Sequence, residues 1–548
     1  MKDKKAMMEA GLLAACFLLI YTLTRSGTLS PADDAITLVT RIDSGVWFHP
    51  HHLVYNWVAG KWLHLARDLG LGADTAGTVE EMNAFFGALT LGVTHLLLRV
   101  RGRLDTIGAL LGTTLVGFSF GFWFFSTMVE VYIPALFFLT LAMLILTAPT
   151  LSGTGFAALG LVHAMAILFH QVHVLFFSVI ACRLLLEGFE EKRRLFKKAG
   201  LYAVAVGFGV GIPYLLIGWS LPSVVSLPTY WYWLTEYAHS EQFWHPIAIS
   251  TLLKAIVGFG SCILGGHFAF AIPGFPALLD KVLQANWLTD DAFVARNLGA
   301  VWSWTLLCCS ALLVGLILFG LFRKAGPPAD PRGRYTSRLI PCLTVWLLTY
   351  VTFFFFWEPM NNEFWIPQSL VLWTLFTIFC MRHPPLFPAL IFRARPLLAL
   401  IAGLLLLINF QGSIRWLIDP RNDYYAMKAI ALSGWATEED LIVIMHPWMD
   451  RAYLQRVTRA KIMEIVTRFE GEKDRDAALA AIQRRIDETL SSGHKVWIAG
   501  DAINLTPLVL RLYGQPLSRF VEDLWGGYTP HWETLNEGVI AVYVLGGN

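Results

Sequence analysis

The sequence predicts a polytopic α-helical membrane protein of about eleven spans, followed by a C-terminal soluble α/β domain. Three observations predict it. Hydrophobic residues make up 56% of the 548 and charged residues 15%, with a mean hydropathy of +0.55, more apolar than a soluble core of this length requires. Apolar runs long enough to cross a bilayer, about 20 mostly apolar residues each, recur from the N-terminus to about residue 412. Beyond about residue 413 the composition turns to that of a soluble domain.

The runs lie near 7–23, 82–98, 104–122, 131–149, 155–172, 174–187, 200–219, 298–322, 339–357, 366–381 and 396–412. The first, in "MKDKKAMMEAGLLAACFLLIYTL", reads as an uncleaved span, because no small-residue cleavage site follows it. Lys and Arg gather in "MKDKK", "RVRGR" (99–103), "EEKRRLFKK" (190–198), "RKAGPPADPRGRYTSR" (323–338) and "MRHPPLFPALIFRAR" (381–395). The positive-inside rule puts all five in the cytoplasm, provided that 251–297 does not cross. That segment is apolar but broken by Gly, Pro and charges, and reads as an interfacial helix or re-entrant piece. The N-terminus is then cytoplasmic and residues 413–548 are extracytoplasmic, in an inner membrane if the source is a bacterium. A twelfth span at 251–297 would invert everything after it.

The membrane domain is 1–412, with a first outer loop at 24–80 and an outer interfacial segment at 220–297. In 413–548, "DLIVIMH" (440–446), "KVWIAG" (495–500) and "GVIAVYVL" (538–545) read as strands and "RDAALAAIQRRIDETLSSG" (475–493) as a helix, so a parallel sheet is expected. The net charge of +2 says little about partners, because the positive charges are clustered, and the lack of a polybasic tail argues against a nucleic-acid partner. The seven cysteines fall mostly in apolar runs, without a CxxC, and read as core residues, not as a disulfide or zinc framework.

The polar motifs collect on the outer face. Asp33 and Asp34 follow a proline in "SPADDAITLVTRI". They start a helix, with Ser30 or Asp33 as its cap, or supply a general base whose pKa is raised near lipid; the readings are compatible. "FHPHHLVYNW" places His49, His51 and His52 too close in sequence for the i, i+4 pairing of a helical metal site, and interfacial His, Tyr and Trp are also ordinary membrane-belt residues. A divalent metal is possible there but not favoured, and no other cofactor is implied. Glu130 and Tyr132 sit between two apolar runs, where a carboxylate suggests function or a helix start facing water. His170 and His173 in "LFHQVHVLFF" are a packed pair or site residues. "WEPMNNEFWIPQ" sets Asn361, Asn362 and Glu363 among aromatics, a mixture suited to sugars or to a wet loop.

Together these motifs resemble the GT-C superfamily of membrane glycosyltransferases. More narrowly, they resemble the bacterial multipass family related to the animal transmembrane O-mannosyltransferase. The matching features are an Asp soon after the first span (Asp33 or Asp34), a His-Pro leading an amphipathic helix ("HPHHLVYNWVAGKWLHLA" from His49), Trp123 followed by "EVY" (130–132), "HQVH", the Gly-Gly-aromatic "LGGHFAF" (264–270), and the aromatic-Pro start of a late span in "NNEFWIP" (361–367). The family's Glu three residues after the loop Asp has no counterpart, and its second proline and glycine after His-Pro are replaced by His51 and His52.

The resemblance implies transfer of a hexosyl or mannosyl group from a polyprenyl-phosphate-linked donor to an acceptor hydroxyl on a glycan, protein or lipid, with inversion. Asp34 is the expected base and Asp33 the alternative, with Glu130 orienting the acceptor or a histidine. His49, His51, His170, His173, His267 and Arg296 are candidates for the departing phosphate; Tyr132, Asn361, Asn362 and Glu363 are expected to bind substrate. A secondary transporter or flippase for a lipid-linked or small anionic substrate is the competing class. Transporters usually show repeats and mid-span ionisable residues, and neither pattern is visible.

Overall fold

The computed structural model describes residues 2–32, 34–71, 74–187, 192–236, 243–283, 289–322, 338–383, 393–445, 448–471, 474–535 and 540–546. Asp33 and most of the basic segments at 323–338 and 381–395 therefore lie outside the described residues. The chain divides into two compact units. One comprises Met1–Ser26, Arg41–Ile272 and Leu298–Trp416; the other comprises Gly27–Thr40, Pro273–Asn297 and Leu417–Asn548.

The first unit is helical. Among the described residues, seven helices are long and apolar enough to cross a membrane: Lys4–Leu23, Thr75–Arg101, Leu195–Ser220, Ala300–Phe322, Leu339–Phe356, Asn362–Arg382 and Ala394–Leu417. The chain is an integral, multi-pass membrane protein. Eleven crossings would also need a bent pair of helices and the shorter apolar helices Tyr132–Leu146, Gly153–Phe169 and Gln171–Leu185.

The bent pair is instructive. The run near 104–122 reads as one span, yet the structure breaks it into Thr106–Gly117 and Phe120–Ser126, which meet at 72°. A break inside a membrane helix leaves backbone groups that lipid cannot satisfy, and side chains satisfy them here. Asn409 Nδ2 donates to Phe118 O at 2.7 Å and to Ile263 O at 2.8 Å. Ser119 Oγ donates to Leu115 O and accepts from Trp373 Nε1 at 2.7 Å.

Within 251–297, the helix Ile249–Leu264 stops after 16 residues. Two glycines cause the stop: Gly265 and Gly266 have φ of +65° and +94°, a region that side-chain-bearing residues avoid. A Cβ on Gly265 would come within 2.5 Å of Ser413 Oγ. The short helix His267–Phe270 follows.

The second unit is α/β. Its strands are β1 (Leu441–Ile444), β2 (Lys461–Glu464), β3 (Val496–Ala499), β4 (His531–Leu535) and β5 (Ile540–Leu545). They form a sheet of order β2-β1-β3-β5-β4. β1 pairs in parallel with β2 and β3, while β5 runs antiparallel to both β3 and β4, so the sheet is mixed where a parallel one was expected. Its core includes Ile442, Val443 and Ile498 of the strands, with Ile482 and Leu524 supplied by the helices Arg475–Ser491 and Pro507–Trp525.

Candidate active site

The first-loop histidines enter on a short 3-10 turn, Pro50–His52, with His49 in extended conformation ahead of it. Pro50 suits that position because its fixed φ starts a turn and its missing N–H is not needed there. Tyr214 Oη donates to Pro50 O at 2.6 Å and anchors the turn. The rings of His49 and His52 stack at 4.6 Å, and those of His49 and His51 lie 5.5 Å apart. The helix Tyr55–Asp68 then buries Tyr55, Ala59, Leu63 and Ala66 along one face, the i, i+4 pattern of an amphipathic helix. Gly60 lets Trp47 lie against that helix, for a Cβ there would fall 2.2 Å from the indole ring.

Asn83, fully buried on the helix Thr75–Leu96, ties this turn to the next. Its Nδ2 donates to Met128 O at 2.6 Å and Glu130 O at 2.7 Å, and lies 3.2 Å from Tyr55 Oη. Glu130 is 2% exposed, and its Oε2 accepts from the Val131 amide at 2.9 Å. Tyr132 opens the following helix. Its hydroxyl donates to Glu363 Oε1 at 2.6 Å, the same oxygen that accepts from Asn361 Nδ2 at 2.8 Å. Asn361 caps the 3-10 turn Asn362–Trp365 that carries Glu363.

The paired histidines sit on a third turn, Gln171–Phe176, capped by the His170 side chain. Tyr132 and His170 rings are 5.1 Å apart, and His170 and His173 rings 5.6 Å apart. His173 Nδ1 lies 3.1 Å from Tyr350 Oη, and the His173 carbonyl is 2.9 Å from His163 Nε2. Burial, Arg41 and the neighbouring imidazoles His51 and His170 push His49 down to about 3. Burial likewise lowers His51 to about 4. At neutral pH both rings are therefore uncharged, and act as hydrogen-bond donors or acceptors according to tautomer.

One end of the helical unit thus brings together His49, His51, Glu130, Tyr132, His170, His173, Asn361 and Glu363, with Asn362 on the same turn as Glu363. Tyr55, Asn83, His163 and Tyr350 complete the network. Tyr55 lies inside "FHPHHLVYNW" but carries no signal of its own there, and Asn83, His163 and Tyr350 lie outside the quoted motifs.

His267 makes different contacts: its Nδ1 is 2.8 Å from Ser413 Oγ and its ring meets the edge of Phe120. Asp34 and Arg296 belong to the α/β unit. Asp34 immediately precedes the helix Ala35–Asp43 and is half-buried. Ser30 does not cap that helix among the described residues: its amide donates to Asp423 Oδ2 at 3.2 Å, and its hydroxyl is buried without a partner there. Arg296 lies over the Phe293 ring at 3.5 Å and donates to Phe293 O and Arg421 O. Among the described residues there is no group of three or more His, Cys, Asp or Glu arranged to hold a metal ion.

No family model and no curated protein matches the sequence. Solved structures do match. ArnT from Cupriavidus metallidurans bound to undecaprenyl phosphate aligns with a TM-score of 0.52 at 13% identity, covering 97% of this chain and 97% of that one. The apo state of the same protein gives 0.46 at 14% identity, with 97% of each chain covered. The Archaeoglobus fulgidus oligosaccharyltransferase in complex with Zn and sulfate gives 0.47 at 12% identity, covering 96% of this chain and 72% of that one. The fold assignment rests on the first of these: the chain has an ArnT-like membrane fold along nearly its whole length.

Proposed function

We propose that the chain is a membrane glycosyltransferase that moves a sugar from a polyprenyl-phosphate-linked donor to an acceptor hydroxyl, at the outer face of the membrane and with inversion. The observation that carries this reading is the buried His/Tyr/Asn/Glu cluster within a unit whose fold resembles that of ArnT, a protein solved with undecaprenyl phosphate bound. A hexosyl or mannosyl group is proposed from the sequence motifs, as is the orientation with a cytoplasmic N-terminus.

In the proposed reaction the acceptor oxygen attacks the anomeric carbon, the bond from that carbon to the phosphate oxygen breaks, and polyprenyl phosphate leaves. Asp34 takes the acceptor proton, with Asp33 as the alternative base. The departing phosphate gains charge as the bond breaks, and preorganised donors in a water-poor site stabilise such charge. His49, His51, His170 and His173 are assigned that role; His267 and Arg296 already engage protein partners. Glu363, held by Tyr132 and Asn361 beside the Phe364 ring, presents the polar and aromatic surfaces that sugars favour, with Asn362 adjacent. Glu130 orients the acceptor.

Purified protein given a radiolabelled polyprenyl-phosphate sugar and candidate acceptors should release polyprenyl phosphate, and Asp34→Asn should slow release by about 10²–10⁴-fold. Equal release by both proteins removes Asp34 from the chemistry. Substrate movement across sealed vesicles without bond cleavage would make the protein a transporter.

A further inference from the structure

Two histidines of the cluster are deeply buried. His52 is 6% and His173 2% exposed, and His52 Nδ1 and His173 Nε2 are buried without a hydrogen-bond partner among the described residues. A hydrogen bond left unmade in a packed interior costs about 1–3 kcal/mol, and a native fold that keeps one calls for an explanation.

Both rings belong to one constellation. His52 stacks on His49, and His170, 5.6 Å from His173, acts electrostatically on His49, His52 and His173. Tyr350 holds the opposite nitrogen of His173, which leaves Nε2 as its spare polar atom. Charged and titratable groups from several elements surround the constellation. Arg41 adds positive charge to His49 and His52. His163, on the helix before His170, is taken up by Tyr202 and the His173 carbonyl. Tyr214 is spent on Pro50 O. Of the nearby acids, Glu130 accepts from the Val131 amide and Glu363 from Tyr132 and Asn361. Among the described residues, the leading electrostatic effects on His49 and His52 come from Arg41 and from other imidazoles. Burial and this repulsion hold His49 near 3 and His52 well below the usual histidine value. An anion among these rings would reverse the balance, replacing repulsion by attraction and accepting the unmade hydrogen bonds.

We infer that His52 and His173 are the donors that grip the phosphate of the lipid-linked substrate, and that this substrate binds together with protons taken up by the histidine cluster. The inference rests on the proposed donor class. Its sign is definite: if binding takes up protons, affinity falls as pH rises, about tenfold per pH unit for each proton.

The test is calorimetric titration of the full-length protein in detergent with a short-chain polyprenyl phosphate, from about pH 6 to about pH 8, in two buffers of different ionisation enthalpy. The wild type should show a buffer-dependent heat corresponding to proton uptake, and affinity that weakens with pH. His52→Asn and His173→Gln place amide N–H groups near the Nδ1 and Nε2 positions, so they keep a donor but cannot titrate. The double variant should bind with a flatter pH profile, and its remaining proton exchange reports the ligand's own second ionisation, near about pH 6. Binding with the same proton exchange in wild type and double variant overturns the inference and leaves the donor assignment standing. Failure of the wild type to bind polyprenyl phosphate overturns both.

Discussion

In the α/β unit Lys428, 2% exposed, places its ammonium 2.9 Å from Asp450 and 2.8 Å from Asp501. In the membrane unit His52 and His173 are about as deeply buried, and each leaves one nitrogen unsatisfied. The same contrast holds for neighbouring groups. Asp423 in the α/β unit uses both carboxylate oxygens, accepting from the amides of Leu29, Ser30 and Ala426 and from Tyr453 Oη. Gln368 in the membrane unit has neither amide atom paired among the described residues. The α/β unit thus closes most of its buried polar groups with partners, although Ser30 Oγ and Asp501 Oδ1 are left over among the described residues. Compensated charge of this kind holds a fold in one arrangement. Uncompensated neutral donors are what a site for a charged ligand requires, and the phosphate-binding histidines proposed above belong to the helical unit.

The largest stability change is expected where compensation is most complete. Burial works against the Lys428 charge, yet Asp450 and Asp501 hold its pKa well above the usual lysine value. Lys428→Met leaves two carboxylates without their cation, and breaking a buried pair from one side costs about 3–5 kcal/mol. Thermal unfolding of the full-length protein, followed by protease sensitivity of the region after residue 417, should show that loss. An unchanged midpoint would mean that the triad is not closed in solution, and the contrast between the units would fail.

A middle-sized effect is expected from Asn409, where the membrane unit does close its polar groups. Asn409→Leu strips the donor from Phe118 O and Ile263 O. Side-chain hydrogen bonds between membrane helices are often worth about 1 kcal/mol, and stranded carbonyls raise the cost to about 1–3 kcal/mol. The bend between Gly117 and Phe120 should loosen, which distance measurements between spin labels on the two helices would detect. A rigid, unshifted bend would assign it to Ser119 and Trp373 instead.

These residues also show what is legible in a sequence. The strands β1, β3 and β5 announce themselves as apolar runs, because both faces or the inner face are buried. β2, "KIME", and β4, "HWETL", are short edge strands with polar, exposed positions, so their pairing comes from the neighbour and not from their own pattern. Hydropathy registers the run near 104–122 but not its 72° break, where Asn409, nearly three hundred residues away, donates to the Phe118 carbonyl. The site divides similarly. His49, Glu130, His170 and Glu363 stand out as polar residues in apolar surroundings. Asn83 and Tyr350 do not, since an amide or a tyrosine in a membrane helix gains its role only from the turns it holds. The order of the unit boundaries is also hidden: 27–40 and 273–297 join the sheet unit by contacts that no local pattern encodes.

The smallest stability effect is the most discriminating. If His52 Nδ1 is an unmade hydrogen bond kept for a ligand, replacing the ring with an apolar side chain removes a desolvation cost and not a contact. His52→Leu should then leave the thermal midpoint unchanged, or raise it by an amount equivalent to up to about 1 kcal/mol, while release of polyprenyl phosphate from the labelled donor falls. Most buried polar residues behave in the opposite way, losing stability first and activity as a consequence, and Lys428→Met supplies that control in the same protein. A His52→Leu protein that unfolds early would show that His52 holds the Pro50–His52 turn in place. The cluster would then belong with the closed networks of the α/β unit, and the ligand-binding role would pass to His49, His51, His170 and His173.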